Sequence, residues 1–258
     1  MASETVCFVS GASRGIGFAL VKELATRYPN AVVYAGVRDP ANSTALQTLA
    51  ASLPQGKVHI VNWTAANEQV NRAVGELILE KHGHVDIVVA NAAVSKSDHV
   101  FASQTPIDDF KEMLEVNATG VLMLFQFLYP LLKASKHPAG AKFVTISSEA
   151  GSVDGPWISA KGLTGYGASK AAMNYVCRKI HFENEWLTCF PIAPGVVATD
   201  MLENYVVTNP DSEMAKNVRL IAKTPEDTAR MLVDLIDAAK RETHSGEFFT
   251  YNGDRAAW

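Results

Sequence analysis

Tyr166-Gly167-Ala168-Ser169-Lys170 sets a phenol and an ammonium four residues apart, which on a helix is about one turn along one face. A phenol beside a cation is an acid whose titration the cation shifts, a pairing suited to handing a proton to an oxygen and taking it back. The spacing alone is not selective, because Tyr129…Lys133 and Tyr175…Lys179 share it. Tyr129 and Lys133 fall inside a long helical pattern with no polar strand end before it, an ordinary helical pair. Tyr175 lies nine residues beyond Tyr166 on the same expected helix, and steps of about 100° turn it to the opposite side. Only Tyr166 and Lys170 follow a strand-like run ending in Ile146-Ser147-Ser148, with small residues around them that leave room for a flat ligand ring.

A second cluster, Gly11-Ala12-Ser13-Arg14-Gly15-Ile16-Gly17, joins a strand-like run to a helical one. Strand, glycine turn and helix is the order a dinucleotide site needs. Gly11 permits the tight turn, Gly15 the approach of a pyrophosphate and Gly17 close packing of helix on sheet, while the helix start offers N–H groups to phosphate. The spacing is GxxxGxG rather than GxGxxG. About 20 residues further on, the residue ending the second strand separates a ribose hydroxyl from its phosphate ester. Val37-Arg38-Asp39 stands there. An arginine forks onto a 2'-phosphate, whereas an NAD site places a carboxylate where Val37 sits. Arg14 is available to join it, and Asp39 is equally available as a partner for Arg38. The expected cofactor is NADP(H) rather than NAD(H).

The elements that must position these groups alternate along the chain. β-rich runs recur at 5–10, 31–37, 57–63, 85–91, 141–148, 187–193 and 246–252, with helical spacing at 17–28, 68–83, 109–135 and 224–241. Alternation of this kind implies right-handed crossovers and a Rossmann-type, doubly wound α/β fold: one parallel sheet of about seven strands with helices on both faces. Ligands then bind at the carboxyl ends of the strands. Two stretches, 149–165 and 200–223, read as long irregular loops on that side, suited to substrate. Nothing marks a domain boundary, so 1–258 reads as one domain, with a cofactor half over about 1–140 and a catalytic and substrate half over about 141–258.

At 258 residues, 48 % hydrophobic and a formal net charge of −4, the chain has a sizeable core and no basic footprint for nucleic acid or a membrane surface. Its three cysteines lack CxxC spacing, and its seven histidines form no HExxH. Neither a disulfide framework nor a metal site is expected. The first ten residues carry neither a basic cap nor a long apolar run, so a cytoplasmic protein with a small-molecule partner is the expectation.

In combination these motifs resemble the short-chain dehydrogenase/reductase family, over essentially the whole chain. Gly11, Gly15 and Gly17 match its glycine loop, and Asn91 in Asn91-Ala92-Ala93 its Asn-Ala-Gly element. Asn117 matches the helix asparagine, Ser148 the catalytic serine, and Tyr166 with Lys170 the acid and its partner. Pro194-Gly195-Val196-Val197-Ala198-Thr199 matches the segment that holds carboxamide and phosphate. The tail from Phe248 to Trp258 is similar to the carbonyl-reductase-like branch, which includes sniffer-type and fungal polyketide ketoreductase-type proteins of secondary metabolism. Two departures stand out. Ala93 replaces a glycine, and Asn62-Trp63 replaces the Asp-Val pair that meets adenine, although the Asn62 amide oxygen can still accept from the adenine amine.

The resemblance implies an NADP(H)-dependent oxidoreductase that reduces a ketone or aldehyde of a hydrophobic small molecule. Tyr166 gives the proton, Lys170 and the oxidised nicotinamide lower its pKa, Lys170 also holds the nicotinamide ribose, Ser148 binds the carbonyl oxygen and Asn117 anchors a water relay. A sensor or scaffold that binds the cofactor without turnover, and a pathway-specific cyclase or isomerase, are the competing readings. Val94, Trp157, Met201 and Tyr205 are the expected substrate contacts. Val121, Leu124, Phe125 and Leu128 repeat at helical spacing, fitting either a homodimer or homotetramer face or the sheet side of their helix.

Overall fold

The computed structural model describes residues 4–210 and 213–258. Its sheet has seven parallel strands in the order 3-2-1-4-5-6-7: β1 Thr5–Ser10, β2 Ala31–Val37, β3 Val58–Asn62, β4 Ile87–Ala90, β5 Lys142–Ile146, β6 Thr188–Ala193 and β7 Phe249–Thr250. Both faces of a parallel sheet are covered, so its strands are apolar at consecutive positions. Along β1, Cys7 and Val9 enter one core and Val6 and Phe8 the other. The last strand is shorter than its apolar run suggests because Gly253 takes a positive φ and the chain turns back to pair Arg255 with Phe249.

Helices α1 Gly15–Arg27 and α2 Thr44–Ser52 lie on one face, where α1 packs against the later helix Pro225–Ala238. The opposite face carries α3 Glu68–His82, α4 Ile107–Leu114, α5 Gly120–Lys133 and α6 Thr164–Glu183. A π-helical turn at Glu115–Thr119 joins α4 to α5 in one continuous rod. By length and composition that rod could cross a membrane. Here Val121, Leu124, Phe125 and Leu128 are buried in the core beside α3 and the sheet. Those four residues therefore take the sheet side of their helix and form no outer face.

The stretch 200–223 is not irregular. It holds α7 Asp200–Thr208 and α8 Glu213–Ile221, followed by α9, the helix Pro225–Ala238. Asp200 and Glu203 in the first turn of α7 complement its N-terminal dipole. These helices are short and separated by a break near Asn209-Pro210, which hides their periodicity. The 149–165 stretch does lack regular helix until Thr164, apart from 3₁₀ turns at Glu149–Gly151 and Pro156–Ser159. The carbonyl oxygen of Trp258 anchors it by accepting from the Val153 and Asp154 amides and the Ser152 hydroxyl.

Candidate active site

The carboxyl ends of β1 to β6 open into one cavity of about 720 Å³. The glycine turn after β1 forms its near end. Gly11 has φ +67°, and a Cβ there would lie 2.7 Å from Ala92 Cα. At Gly17 a Cβ would lie 2.2 Å from the Gly11 oxygen and 2.6 Å from Asn91 Nδ2. The Asn91 amide itself donates to the oxygens of Ser10 and Gly11, fastening the end of β4 to the turn. Ser13, Arg14, Gly15 and Ile16 complete this wall. Helix α1 starts with no side-chain cap and no acidic residue in its first turn, so its N–H groups face the cavity without a protein side-chain acceptor.

Arg38 lines the cavity just beyond β2 and is exposed, with no ion pair or side-chain hydrogen bond among the described residues. Asp39 is not its partner. Its carboxylate accepts from the Asn42 side chain at 2.6 Å and the Asn42 amide at 3.1 Å, bonds that hold its pKa below the usual carboxylate range. Arg14 is tied to Asp200 at 3.1 Å, an exposed pair linking the glycine turn to α7. Pro194, Gly195, Val197 and Thr199 line the same cavity, as does Trp63. Asn62 does not. Successive strand residues point to opposite faces, so Asn62 is turned to solvent while buried Trp63 packs on Phe8 and donates to Asn71. Thr64 and Ala65 reach the cavity instead. The open helix start, the glycine approach and the unpaired guanidinium together fit a phosphorylated dinucleotide.

Ser148, Tyr166 and Lys170 meet at the far end. The Ser148 side chain stands close enough to the Tyr166 phenol to act on its titration. Lys170 is buried, its Nζ lying 5.6 Å from the Tyr166 ring centre and donating to the Ile146 oxygen at 2.7 Å. Burial pushes Lys170 down to about 7 and Tyr166 up to about 12; Ser148 opposes the latter shift and the Asp98 charge adds to it. In the cofactor-free protein the Tyr166 pKa thus stands above its ordinary value, whereas the expected lowering belongs to the complex, in which Lys170 and the oxidised nicotinamide act together. Tyr175, by contrast, is exposed, and Lys179 pairs with Glu183.

Asn117 sits in the π turn, fully buried, but faces a loop. Its Oδ1 accepts from the Val94 amide at 2.8 Å, and its Nδ2 donates to the Val94 oxygen at 2.8 Å and to Ser169 Oγ at 2.9 Å. Val94, Trp157, Met201 and Tyr205 line the same cavity, joined by Leu163. Charged wall residues that went unanticipated are Lys96, Asp98 and Glu112, with Glu149 and Asp200 from the two expected loop stretches. For Lys96 and Asp98 the hint in the sequence was a polar stretch directly after β4, whereas Glu112 falls within the helical pattern at 109–135. Among the described residues, no three His, Cys, Asp or Glu side chains group as a metal site.

A family model described as short chain dehydrogenase matches residues 5–209. The norsolorinic acid ketoreductase of Aspergillus parasiticus is 34 % identical over 99 % of this chain and 92 % of its own length. The norsolorinic acid ketoreductase of Dothistroma septosporum is 36 % identical over 99 % and 93 %. Among solved structures, NADPH-bound carbonyl reductase from chicken fatty liver superposes with a TM-score of 0.84 at 24 % identity, each chain covered in full. Carbonyl reductase Sniffer of D. melanogaster does so at 0.83 and 21 %, again over both whole chains. At these identities the two structures establish a common fold.

Proposed function

Because the chain belongs to the short-chain dehydrogenase family, in its carbonyl-reductase-like branch, we propose that it is an NADPH-dependent reductase of apolar ketones. One observation carries this reading: the Tyr166 phenol stands with Ser148 and Lys170 in the same cavity as the uncapped start of α1 and Arg38, which is unpaired among the described residues. The two ketoreductase relatives add support for a ketone substrate and for a place in secondary metabolism. The complete set of Asn117, Ser148, Tyr166 and Lys170 speaks against a sensor or scaffold without turnover.

Residues up to about 140 bind most of the cofactor and the rest supply most of the chemistry, although Val94, Asp98 and Asn117 serve the substrate side from the first half. The α1 amides and Gly15 hold the pyrophosphate, Arg38 the 2'-phosphate, Lys170 the nicotinamide ribose and the Pro194–Thr199 turn the carboxamide. When bound, the nicotinamide supplies hydride to the carbonyl carbon. Tyr166, kept a phenol by its raised pKa, gives its proton to the carbonyl oxygen, while Ser148 hydrogen-bonds that oxygen as charge develops. Lys170, with a pKa of about 7, exchanges a proton near neutrality and serves the phenolate that remains. The π turn at Asn117 loosens the regular backbone ladder, and the relay water is assigned there.

The test is consumption of NADPH, followed by absorbance, with a panel of aryl and alkyl ketones. Tyr166→Phe is expected to lower turnover by roughly 10²–10⁴-fold while NADPH still binds. A Tyr166→Phe enzyme that turns over near the wild-type rate overturns the assignment, and product formed equally well without NADPH favours the cyclase or isomerase reading.

A further inference from the structure

The segment from Val94 to Asp98 crosses the substrate side of the cavity, and each of its residues is pinned. Asn117 holds both backbone groups of Val94. Lys96 pairs with Glu112, and Ser97, in the left-handed region at φ +52°, donates to Asp109 on α4. The Asp98 oxygen accepts from the Leu163 amide at 3.1 Å, and a Cβ on neighbouring Gly162 would lie 1.8 Å from that oxygen. A segment so fixed presents its last side chain in one orientation.

That side chain is a carboxylate in the cavity wall, near enough to Tyr166 to raise the pKa of its phenol. Asp98 Oδ1 accepts from Ser95 Oγ at 2.6 Å, and among the described residues the other carboxylate oxygen has no hydrogen-bond partner. Lys96 is committed to Glu112, and the adjacent His99 acts on Asp98 through its charge without a hydrogen bond to it among the described residues. A half-buried carboxylate with an unused oxygen carries a desolvation cost that a ligand donor would offset. The cavity it lines carries apolar or aromatic Trp157, Leu163, Met201 and Tyr205 together with polar Ser95, Lys96, Glu112 and Ser148.

We infer that Asp98 is a specificity-determining residue, accepting a hydrogen bond from a hydroxyl group carried by the ketone substrate. The substrate class is therefore a hydroxylated ketone with an apolar body, a conclusion that rests on the ketone reduction proposed above. A hydroxyl supplies the one donor that the free oxygen lacks, and a neutral donor suits a carboxyl whose pKa burial raises.

Initial rates with NADPH on acetophenone, its three ring-hydroxylated isomers and an aminomethyl analogue test this. Wild type is expected to favour at least one hydroxylated isomer in kcat/KM, and Asp98→Asn to reduce that preference by about tenfold or more, the scale of a hydrogen bond to a charged group. Asparagine keeps the shape and the Ser95 contact but turns an NH₂ toward the substrate donor. The ratio between wild type and variant cancels the effect of the ring hydroxyl on carbonyl reactivity. It also cancels any change in Tyr166 titration, which falls on all ketones alike. An unaltered preference in Asp98→Asn, no preference in wild type, or a preference for the aminomethyl ketone overturns the inference. If wild type consumes NADPH with none of the ketones, it is the reductase reading itself that fails, and this one falls with it.

Discussion

Lys170 Nζ donates a 2.7 Å hydrogen bond to the carbonyl oxygen of Ile146, and burial lowers the pKa of the amine from an ordinary 10.5 to about 7. The unfolded chain keeps its proton to the ordinary value, so between the two the unfolded state binds more protons and stability rises with pH. Below 7 the penalty is complete. Tyr166, raised from 10.0 to about 12, acts with opposite sign, removing stability only above 10. The melting temperature of the cofactor-free protein is thus expected to climb from pH 7 to about 9.5, and Lys170→Met to flatten that climb. A Lys170→Met profile parallel to wild type in scanning calorimetry would sink the assignment.

The clamp between Asn117 and Val94 makes a second prediction. Asn117→Ala strands a buried N–H and C=O of Val94 and removes a partner of Ser169, which should cost about 2–4 kcal/mol. Asn117→Asp is no rescue, because its second oxygen would face the Val94 oxygen. Both variants are expected to melt several degrees lower and to show a raised KM, since Asn117 steadies the loop that carries Asp98. A melting temperature and KM within error of wild type would show that the clamp holds nothing.

The strands and the Tyr166–Lys170 pair were legible because each rests on a local signal: apolar runs between turns, and a helical pair following Ser147-Ser148. The glycine turn was legible for the same reason. Asp98 was not, since its significance comes from Asn117, Asp109, Glu112 and Leu163, residues distant in the chain that lock its loop. The side on which Asn62 falls depends on the pleat of one short strand, and Asn62 lost its place to Thr64 and Ala65 by that margin. The proton balance of Tyr166 and Lys170 in the cofactor-free protein was not legible because burial, which shifts both groups, is invisible in spacing.

Assembly was expected from the helix at 107–135 and the Tyr166 helix; on the first, Val121, Leu124, Phe125 and Leu128 are core residues. The apolar groups left outside include Tyr175 and Phe182 on α6, 70 % and 64 % exposed and seven residues apart on one stripe. A homodimer or homotetramer using that stripe is expected. Light scattering at micromolar concentration checks it, with Phe182→Glu expected to shift the mass toward monomer; a monomeric mass for wild type ends the proposal.

Cofactor choice turns on Arg38 and its lack of a competing partner. Asp39 is engaged by Asn42, and Arg14 by Asp200, so Arg38 is the guanidinium free to meet a 2'-phosphate. That phosphate brings roughly −1.5 to −2 charges near neutrality, and a guanidinium answers it with two parallel charge-assisted bonds. NADH offers Arg38 only a hydroxyl. Arg38→Ala should therefore raise the NADPH Michaelis constant by roughly 10- to 150-fold, about 1.5–3 kcal/mol, while barely changing that for NADH. Arg14→Ala should do less, because its charge is already shared with Asp200. Arg38→Asp should go further than Arg38→Ala, repelling the phosphate while accepting from the ribose hydroxyls. Steady-state kinetics with both cofactors decide it: if the NADPH/NADH ratio is the same in wild type and Arg38→Ala, Arg38 is a surface charge and the preference lies elsewhere.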